Sequence, residues 1–315
     1  MILITGCAGF IGFHLSTYYL KKNQRIIGID NLNSYYDKKL KLRRLKELKK
    51  FKNFKFILLD LKKKKSLIKL KKYNFKYIVH LAGQAGVRYS IINPISYVDN
   101  NIKAYINLLE FFKYQKNLIS ILYASSSSVY GDRISHIKNY NIKSVYAATK
   151  KTMEFISDVY CKIYKLKFIG MRFFTVYGPY GRPDMSIFKF FNNIIKNKKI
   201  DVYNYGNHKR SFTYIDDIIF NINKIILHSK KNIKIKDSKF YNIGNPQTVN
   251  LLRLIKLIEK IIKKNVKINF MPFQTGDVLK TKANIGKDEN KLGFRFKINI
   301  EQGIKNFYKW FINER

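Results

Sequence analysis

Short runs of apolar residues alternate along the chain with longer stretches whose apolar positions recur at helical spacing. Because strands joined by helical crossovers pair in parallel, this alternation predicts an α/β fold with a doubly wound parallel sheet. The strand-like runs are MILIT, RIIGID, FKFILLD, YIVHLAG, ISILYASS and FIGMRFF, and the helical patterns between them cover residues 10–22, 38–50, 65–73, 94–114 and 145–165.

The rhythm of strands and helices loosens after Tyr177, where proline and glycine become more frequent in the run YGPYGRPD. We therefore predict a first domain over residues 1–176 and a second, smaller α/β domain mainly over residues 177–315. The run KFYNIGN at 239–245 is apolar enough to return to the main sheet.

Glycines follow the first predicted strand in the sequence TGCAGFIG, where Gly6, Gly9 and Gly12 have the spacing Gly-x-x-Gly-x-x-Gly. Glycine permits a tight strand-to-helix turn whose backbone N–H groups approach a dinucleotide pyrophosphate. Asp30 ends the next strand-like run, where a carboxylate accepts hydrogen bonds from the adenosine ribose and repels a 2′-phosphate. The pattern predicts a Rossmann fold in the first domain, with NAD preferred over NADP.

A tyrosine lies four residues before a lysine in the segment SVYAATKK, at Tyr146 and Lys150. Spacing alone decides nothing, because it occurs elsewhere in the chain, at Tyr18/Lys22, Tyr35/Lys39 and Tyr205/Lys209. Tyr146 and Lys150, however, share one helix face after a strand that ends at Ser126, and parallel sheets bind ligands at that edge. This context makes the three residues a candidate active site.

The candidate residues suit the oxidation of a sugar hydroxyl. Hydride transfer from carbon requires a base that removes the hydroxyl proton, and free tyrosine has a pKa of about 10. The Lys150 ammonium and the positive nicotinamide ring are expected to favour tyrosinate and so to lower the pKa of Tyr146. Ser126 is expected to share the hydrogen bond to the substrate oxygen.

Basic residues outnumber acidic residues by 62 to 20, which gives a formal net charge of +42. A charge of this size is typical of proteins that bind nucleic acid or an anionic surface. The basic residues are spread from Lys21 to Arg315, however, and the abundance of Lys, Ile, Asn, Tyr and Phe indicates a codon bias acting on the whole chain. We therefore expect no specific nucleic-acid partner.

The two cysteines, Cys7 and Cys161, have no metal-ligand spacing and provide no disulfide framework, so we expect no metal and a reducing compartment. No apolar run approaches the roughly 18 residues that span a bilayer. The first strand-like run begins at Met1 or Ile2, which leaves no room for a signal peptide before it. We expect a cytoplasmic protein with no membrane partner.

Nearly the whole chain resembles the extended short-chain dehydrogenase/reductases that act on nucleotide sugars. The glycine turn, the Ser126, Tyr146 and Lys150 set, and the segments HLAGQAGVRYS and YASSSSVYG carry this resemblance. The segments GIDNLNSYYDKKLKLRRL, MRFFTVYGPYGRPDM and FQTGDV are most similar to UDP-glucuronate 4-epimerases. One departure is Thr275, where this family usually has proline.

The resemblance implies NAD as cofactor and a UDP-sugar as substrate, in the nucleotide-sugar metabolism that supplies polysaccharide biosynthesis. It implies oxidation at C4, rotation of the flat 4-keto sugar and return of the hydride to its other face. The implied NAD contacts are Gly6, Gly9, Phe10, Ile11, Gly12, Asp30, Asn31, Asp60, Leu61, Leu81, Ala82, Gln84, Asn101, Tyr146 and Lys150. The implied contacts of the UDP-sugar are Arg88, Ser126, Thr175, Arg182, Arg210 and Asp277.

Arg182 is the candidate for recognition of the sugar. A glucuronate carries a carboxylate at C6, and the planar fork of arginine suits a carboxylate better than the point charge of lysine. In a chain rich in lysine, an arginine between Gly181 and Pro183 is therefore predicted to pair with that carboxylate.

Related reactions share the first oxidation and remain as alternatives. A 4,6-dehydratase would place an Asp-Glu pair directly after the catalytic hydroxyl residue, and a decarboxylase would place an acid at the second position. The chain has Ser127 and Ser128 there, which favours plain epimerisation. UDP-glucose and UDP-N-acetylglucosamine are the alternative substrates. A redox sensor that binds NAD without turnover would typically lack the tyrosine or the lysine.

Two predicted helices, over residues 94–114 and 145–165, retain apolar residues on more than one face. A two-fold four-helix interface between subunits would bury these residues. The sequence therefore predicts a homodimer.

Overall fold

The computed structural model describes residues 1–131, 142–232, 237–274 and 276–314, so Thr275 lies outside the described residues. The strands are β1 (Ile2–Thr5), β2 (Ile26–Asp30), β3 (Phe54–Leu58), β4 (Tyr77–His80), β5 (Ser120–Ser126), β6 (Phe168–Phe173), β7 (Thr175–Tyr177), β8 (Ile200–Tyr203), β9 (Lys209–Arg210), β10 (Phe212–Tyr214), β11 (Ser238–Ile243), β12 (Val249–Asn250), β13 (Ile268–Met271) and β14 (Lys280–Thr281). Seven of them form one sheet in the order β11-β6-β5-β4-β1-β2-β3, and every pair in it is parallel. The predicted doubly wound parallel sheet is confirmed.

Helices cover both faces of this sheet. The α-helices are α1 (Phe10–Leu20), α2 (Lys38–Lys49), α3 (Tyr89–Ile92), α4 (Pro94–Tyr97), α5 (Ala104–Phe112), α6 (Val145–Tyr164), α7 (Ser186–Ile195), α8 (Ile215–Lys231), α9 (Leu251–Ile262), α10 (Lys287–Lys291) and α11 (Ile300–Asn313). Short 3₁₀ helices cover Lys64–Leu70, Ser127–Tyr130 and Asn204–Gly206, and a π-helix covers Val98–Lys103.

Two of the predicted helical stretches differ from regular α-helices. The pattern over 65–73 forms a 3₁₀ helix, in which the buried residues Leu67 and Leu70 are three positions apart and match its period of three residues per turn. The pattern over 94–114 is interrupted by the π-helix, whose inward-facing residue, Asn101, is fully buried.

Burial explains why the central strands are almost continuously apolar. Every residue of β1 and β2 is buried, as expected for parallel strands covered on both faces. Helices α1 and α8 pack together on one face, where the Tyr19 hydroxyl donates to the Asn223 side-chain oxygen at 3.0 Å. Helices α5 and α6 contact each other elsewhere, with a 2.7 Å hydrogen bond between the hydroxyls of Tyr105 and Ser157.

The chain after β6 builds small sheets beside the carboxyl ends of the main strands. Strand β7 pairs with β10, β8 pairs with β13, and β9 lies between β12 and β14. The run at 239–245 corresponds to β11, which pairs in parallel with β6 in the main sheet. The division of the chain at residues 176 and 177 remains a prediction.

The helices described here give no sign of a membrane segment: none is both long enough and apolar enough to cross a bilayer. The described cysteines are also unpaired, since Cys7 and Cys161 are buried free thiols.

Candidate active site

A cavity of about 830 Å³ lies where the carboxyl ends of the main strands face the segments that follow β6. It brings together residues that are far apart in the sequence. The predicted site residues that line it are Gly6, Gly9, Phe10, Ile11, Gly12, Asp30, Asn31, Asp60, Leu61, Leu81, Ala82, Gln84, Arg88, Ser126, Tyr146, Lys150, Thr175, Arg182, Arg210 and Asp277.

The glycine turn between β1 and α1 leaves no space for side chains. Gly6 has a φ of +70°, and a Cβ at Gly12 would lie 2.2 Å from the Gly6 carbonyl oxygen. The same carbonyl accepts a hydrogen bond from the Gly9 N–H at 2.9 Å. The turn therefore brings the N-terminus of α1 against the cavity, an arrangement that binds anions through backbone N–H groups.

Asp30 lies at the end of β2, at the edge of the cavity, and is largely buried. Its carboxylate accepts hydrogen bonds from the N–H groups of Leu32 at 2.8 Å and Ala8 at 3.2 Å. Burial raises the pKa of Asp30, and these bonds together with the Lys41 ammonium offset part of that rise. Each carboxylate oxygen has a second lone pair, so the group is able to accept ribose hydroxyls as well.

Asn101 is the one predicted cofactor contact that does not line the cavity. It is fully buried behind the wall, where its side-chain oxygen accepts from the Gln84 N–H at 2.8 Å. Its amide donates to the Gln84 carbonyl at 3.0 Å and to the Thr149 hydroxyl at 3.0 Å. The π-helix turns Asn101 inward to hold Gln84 and α6, and a direct contact of Asn101 with NAD stays a prediction.

The candidate base, Tyr146, lies in the first turn of α6. Ser144 caps this helix by accepting a hydrogen bond from the Ala147 N–H at 3.1 Å. Burial raises the pKa of Tyr146, whereas a hydrogen bond with Ser126 and the charge of Arg182 act to lower it. The net direction in the protein alone is upward, and the lowering expected from Lys150 and the nicotinamide ring together stays a prediction.

Lys150 lies one turn after Tyr146 on α6 and is largely buried. Its ammonium donates to the Ala124 carbonyl at 2.9 Å, and burial lowers its own pKa to about 8. A Cβ at Gly83 would lie only 3.4 Å from the Lys150 Nζ, so the ammonium lies between two backbone segments. The Arg182 guanidinium contributes a positive charge that acts to lower the pKa of Tyr146.

Arg182 has a carboxylate partner within its own loop. Its Nε donates to Asp184 Oδ1 at 3.0 Å, and its Nη2 donates to Asp184 Oδ2 at 2.5 Å. The Tyr35 hydroxyl donates to the same Oδ2 at 3.1 Å. Burial would lower the pKa of Arg182, but the Asp184 carboxylate outweighs burial and raises it. Arg182 is therefore a charged side chain, fixed by Asp184, in the same cavity as the candidate base.

A second acid, Asp277, lies among several basic side chains at the other side of the cavity. Its Oδ1 accepts from Arg210 Nη2 at 2.8 Å, while Arg88 Nη2 and His208 Nε2 lie 3.7 and 3.8 Å from its Oδ2. The Arg88 guanidinium also lies 4.3 Å from the centre of the Tyr203 ring. A cluster with this charge and an aromatic face is suited to a nucleoside diphosphate.

Sequence reasoning missed several of these cavity residues. Asp184 had a usable signal, because it is an acid two positions after Arg182 in a strongly basic chain. Tyr35, Tyr203 and His208 had no local signal, since only tertiary packing brings their segments to the cavity. Within the described residues, no three His, Cys, Asp or Glu side chains form a group that could hold a metal ion.

Comparison with protein families gives one extended match. The family model described as GDP-mannose 4,6 dehydratase matches residues 3–307 of the chain. The Staphylococcus aureus protein CapI is 41% identical over 99% of this chain and 98% of its own length. UDP-glucuronate 4-epimerase 1 of Arabidopsis thaliana is 39% identical over 99% of this chain and 76% of its own length.

Comparison with solved structures gives the same architecture. The crystal structure of UDP-glucuronic acid 4-epimerase from Bacillus cereus, in complex with UDP-glucuronic acid and NAD, superposes with a TM-score of 0.91. The two chains are 32% identical, and the match covers 100% of this chain and 99% of the Bacillus protein. The similarity thus extends through the segments that follow β6 and form the far wall of the cavity.

Proposed function

The chain belongs to the UDP-glucuronate 4-epimerases of the extended short-chain dehydrogenase/reductase family, and we propose that it interconverts UDP-glucuronate and UDP-galacturonate with bound NAD. One observation supports this proposal above the others. A single cavity contains a pyrophosphate-binding turn, the Ser126, Tyr146 and Lys150 set, and an arginine beside the candidate base. NAD-dependent epimerisation of a carboxylated sugar would use all three features in one place.

The residues present fit NAD. The glycine turn provides a cradle that any Cβ would fill, and Asp30 provides the ribose acceptor at the end of the next strand. Asn31, Asp60, Leu61, Leu81 and Ala82 would line the adenosine side, with Gln84 held in place by Asn101. Bound NAD would supply a hydride acceptor for the oxidation at C4 and a hydride donor for the reduction from the opposite face, so no net oxidation would result.

Side chains of the protein would transfer the proton of the C4 hydroxyl. Tyr146 would accept this proton during oxidation and return it during reduction, and Ser126 would bond the same oxygen. Ser126 and Arg182 favour the tyrosinate against the burial that opposes it. Lys150, fixed to the Ala124 carbonyl, would hold the nicotinamide ribose next to the reacting carbon.

Arg182 would bind the C6 carboxylate of the sugar. Asp184 occupies its Nε and one Nη2 hydrogen, so the substrate would use the donors that remain and face the cavity. Holding the carboxylate ionised would also limit its loss as CO₂ from the 4-keto intermediate. Thr175 would add a neutral contact, and Arg88, Arg210 and Asp277 would contact the UDP part.

Elimination and decarboxylation have less support than epimerisation. The hydroxyls of Ser127 and Ser128 line the cavity where a dehydratase or a decarboxylase would need a carboxyl group. A hydroxyl of ordinary pKa is a poor acid or base for removing water across C5 and C6. The chain should therefore return the sugar with all six carbons and all hydroxyl groups.

The assembly we propose is a homodimer. Phe155, Val159 and Ile163 lie at i, i+4 and i+8 on α6, and each has about half or more of its surface exposed. Tyr114, just after α5, is also exposed. Pairing of α5 and α6 with their counterparts in a second subunit would cover this apolar stripe.

We also propose that the protein is located in the cytoplasm. Its buried free cysteines are consistent with that reducing compartment.

Replacing Tyr146 by Phe tests the proposed base. NAD should remain bound, because the ring still fills its space, but turnover should fall by a factor on the order of 100 to 10,000 for a lost general base. Steady-state epimerisation rates and the NAD released on denaturation measure the two effects. Near-normal turnover would mean that the Tyr-x-x-x-Lys match is incidental.

Replacing Arg182 by Leu tests how the sugar is recognised. Turnover of UDP-glucuronate should lose roughly 2–5 kcal/mol of transition-state binding, the range for a broken buried charge pair. Any activity on UDP-glucose should fall much less. Arg182→Lys is the matched control, because it retains the charge without the planar fork. Its turnover of UDP-glucuronate should lie between that of the wild type and that of Arg182→Leu. Equal losses on both sugars would assign Arg182 to the diphosphate or to loop structure.

Replacing Val159 by Glu tests the subunit interface. A carboxylate in the centre of the stripe should convert dimer to monomer, because its desolvation in the interface is unfavourable. Sedimentation at micromolar concentration measures this change. Leu227→Glu is the matched control, because Leu227 is similarly exposed on α8, outside the stripe. A wild-type monomer at that concentration would contradict the proposal.

A further inference from the structure

Arg44 is a buried cation that takes no part in the proposed reaction. It lies on α2 with none of its surface exposed, and among the described residues it forms no ion pair. Burying an unpaired guanidinium is unfavourable, and burial accordingly lowers the pKa of Arg44. The hydrogen bonds that Arg44 donates must therefore offset the cost of burying its charge.

Those bonds join two loops of the cavity. Arg44 Nη1 donates to the Ala8 carbonyl at 2.8 Å, within the glycine turn, and to the Tyr36 hydroxyl at 2.7 Å. Its Nη2 donates to the carbonyls of Tyr180 at 2.6 Å and Gly181 at 3.3 Å. The Gly181 carbonyl belongs to the peptide bond that leads into Arg182. One guanidinium therefore connects the cofactor turn to the backbone that carries Arg182.

The second loop has a backbone that needs such support. Tyr180 has a φ of +56°, a left-handed conformation that residues other than glycine adopt only when their surroundings hold them there. The Tyr180 hydroxyl donates to Glu314 at 3.0 Å, and its ring lies 5.1 Å from that of Trp310. These contacts fix the side chain, whereas Arg44 is bonded to the main chain itself.

We infer that Arg44 is a positioning residue that fixes Arg182, and through it the preference for a carboxylated sugar, by tying the carbonyls of Tyr180 and Gly181 to that of Ala8. The inference rests on the proposed role of Arg182. Lysine at position 44 would retain the charge, but its single nitrogen cannot reproduce the fork that spans the two loops. Arg182 would then lose its fixed position while all of its own atoms remain.

The test is a double-mutant cycle on ligand binding, in NAD-bound enzyme that also carries Tyr146→Phe so that turnover is slow during a titration. Calorimetric titrations with UDP-glucuronate and UDP-glucose are compared for Arg44→Lys, Arg182→Leu and the double variant. Arg44→Lys should weaken UDP-glucuronate binding on the order of tenfold and UDP-glucose binding by about twofold at most, within the range for directly coupled residues. In the Arg182→Leu background, Arg44→Lys should have almost no effect on either ligand.

A matched control comes from the preceding residue. Arg43 is an exposed arginine of the same helix, and it bonds Glu314 at the surface. Arg43→Lys should leave both affinities unchanged. Arg44→Gln, which removes the buried charge as well as the fork, is the second variant and should give the same loss of preference as Arg44→Lys.

The outcomes distinguish failure of the positioning role of Arg44 from failure of the proposed contact between Arg182 and the sugar carboxylate. Suppose that Arg182→Leu selectively weakens binding of UDP-glucuronate. The positioning role is then overturned if Arg44→Lys weakens binding of both ligands equally, or if its effect is as large in the Arg182→Leu background as in the Tyr146→Phe enzyme alone. If Arg182→Leu itself shows no selectivity, the proposed carboxylate contact fails, and the inference fails with it. If neither Arg44 variant yields soluble NAD-bound protein, Arg44 is a folding residue and the inference is overturned.

Discussion

The close approach of α1 to β1 is the constraint on which the site depends. With 2.2 Å between the Gly6 oxygen and any Cβ at Gly12, only glycine allows the helix to start directly over the end of the strand. That start aims the first N–H groups of α1 into the cavity. It also places the Ala8 carbonyl where Arg44 reaches it. The position of a bound dinucleotide, and hence of the carbon facing Tyr146, follows from this turn.

Acidic side chains are scarce in this chain, and several of them hold an arginine near the cavity. Asp184 binds Arg182 through two hydrogen bonds, and Asp277 binds Arg210. Glu154, on α6, forms two 2.7 Å bonds with Arg172 of β6 and accepts another from the Ser125 hydroxyl. Charge-assisted pairs of this kind have defined directions, so they hold these arginines in fixed orientations despite the large positive charge of the chain.

The sequence was sufficient for features that depend on local chemistry. Alternating patterns predicted the parallel sheet, and glycine spacing with Asp30 predicted the cofactor turn, since both arise from backbone geometry within short segments. Features that depend on tertiary burial were not predictable. The inward turn of Asn101 comes from a π-helix, and the raised pKa of Tyr146 comes from surrounding atoms that no local pattern specifies. Arg44 stands among lysines in the sequence of α2, so no local pattern distinguishes it, although its side chain is fully buried.

The most direct test of the account is incubation of the pure protein with UDP-glucuronate in D₂O, followed by NMR of the sugar nucleotides. We predict UDP-galacturonate without added oxidant, with no deuterium at C4, because the hydride that leaves C4 is the one that returns. UDP-glucose and UDP-N-acetylglucosamine, incubated separately, should react much more slowly. Formation of a UDP-pentose or a dehydrated sugar, solvent deuterium at C4, or a clear preference for an uncharged sugar would contradict the account.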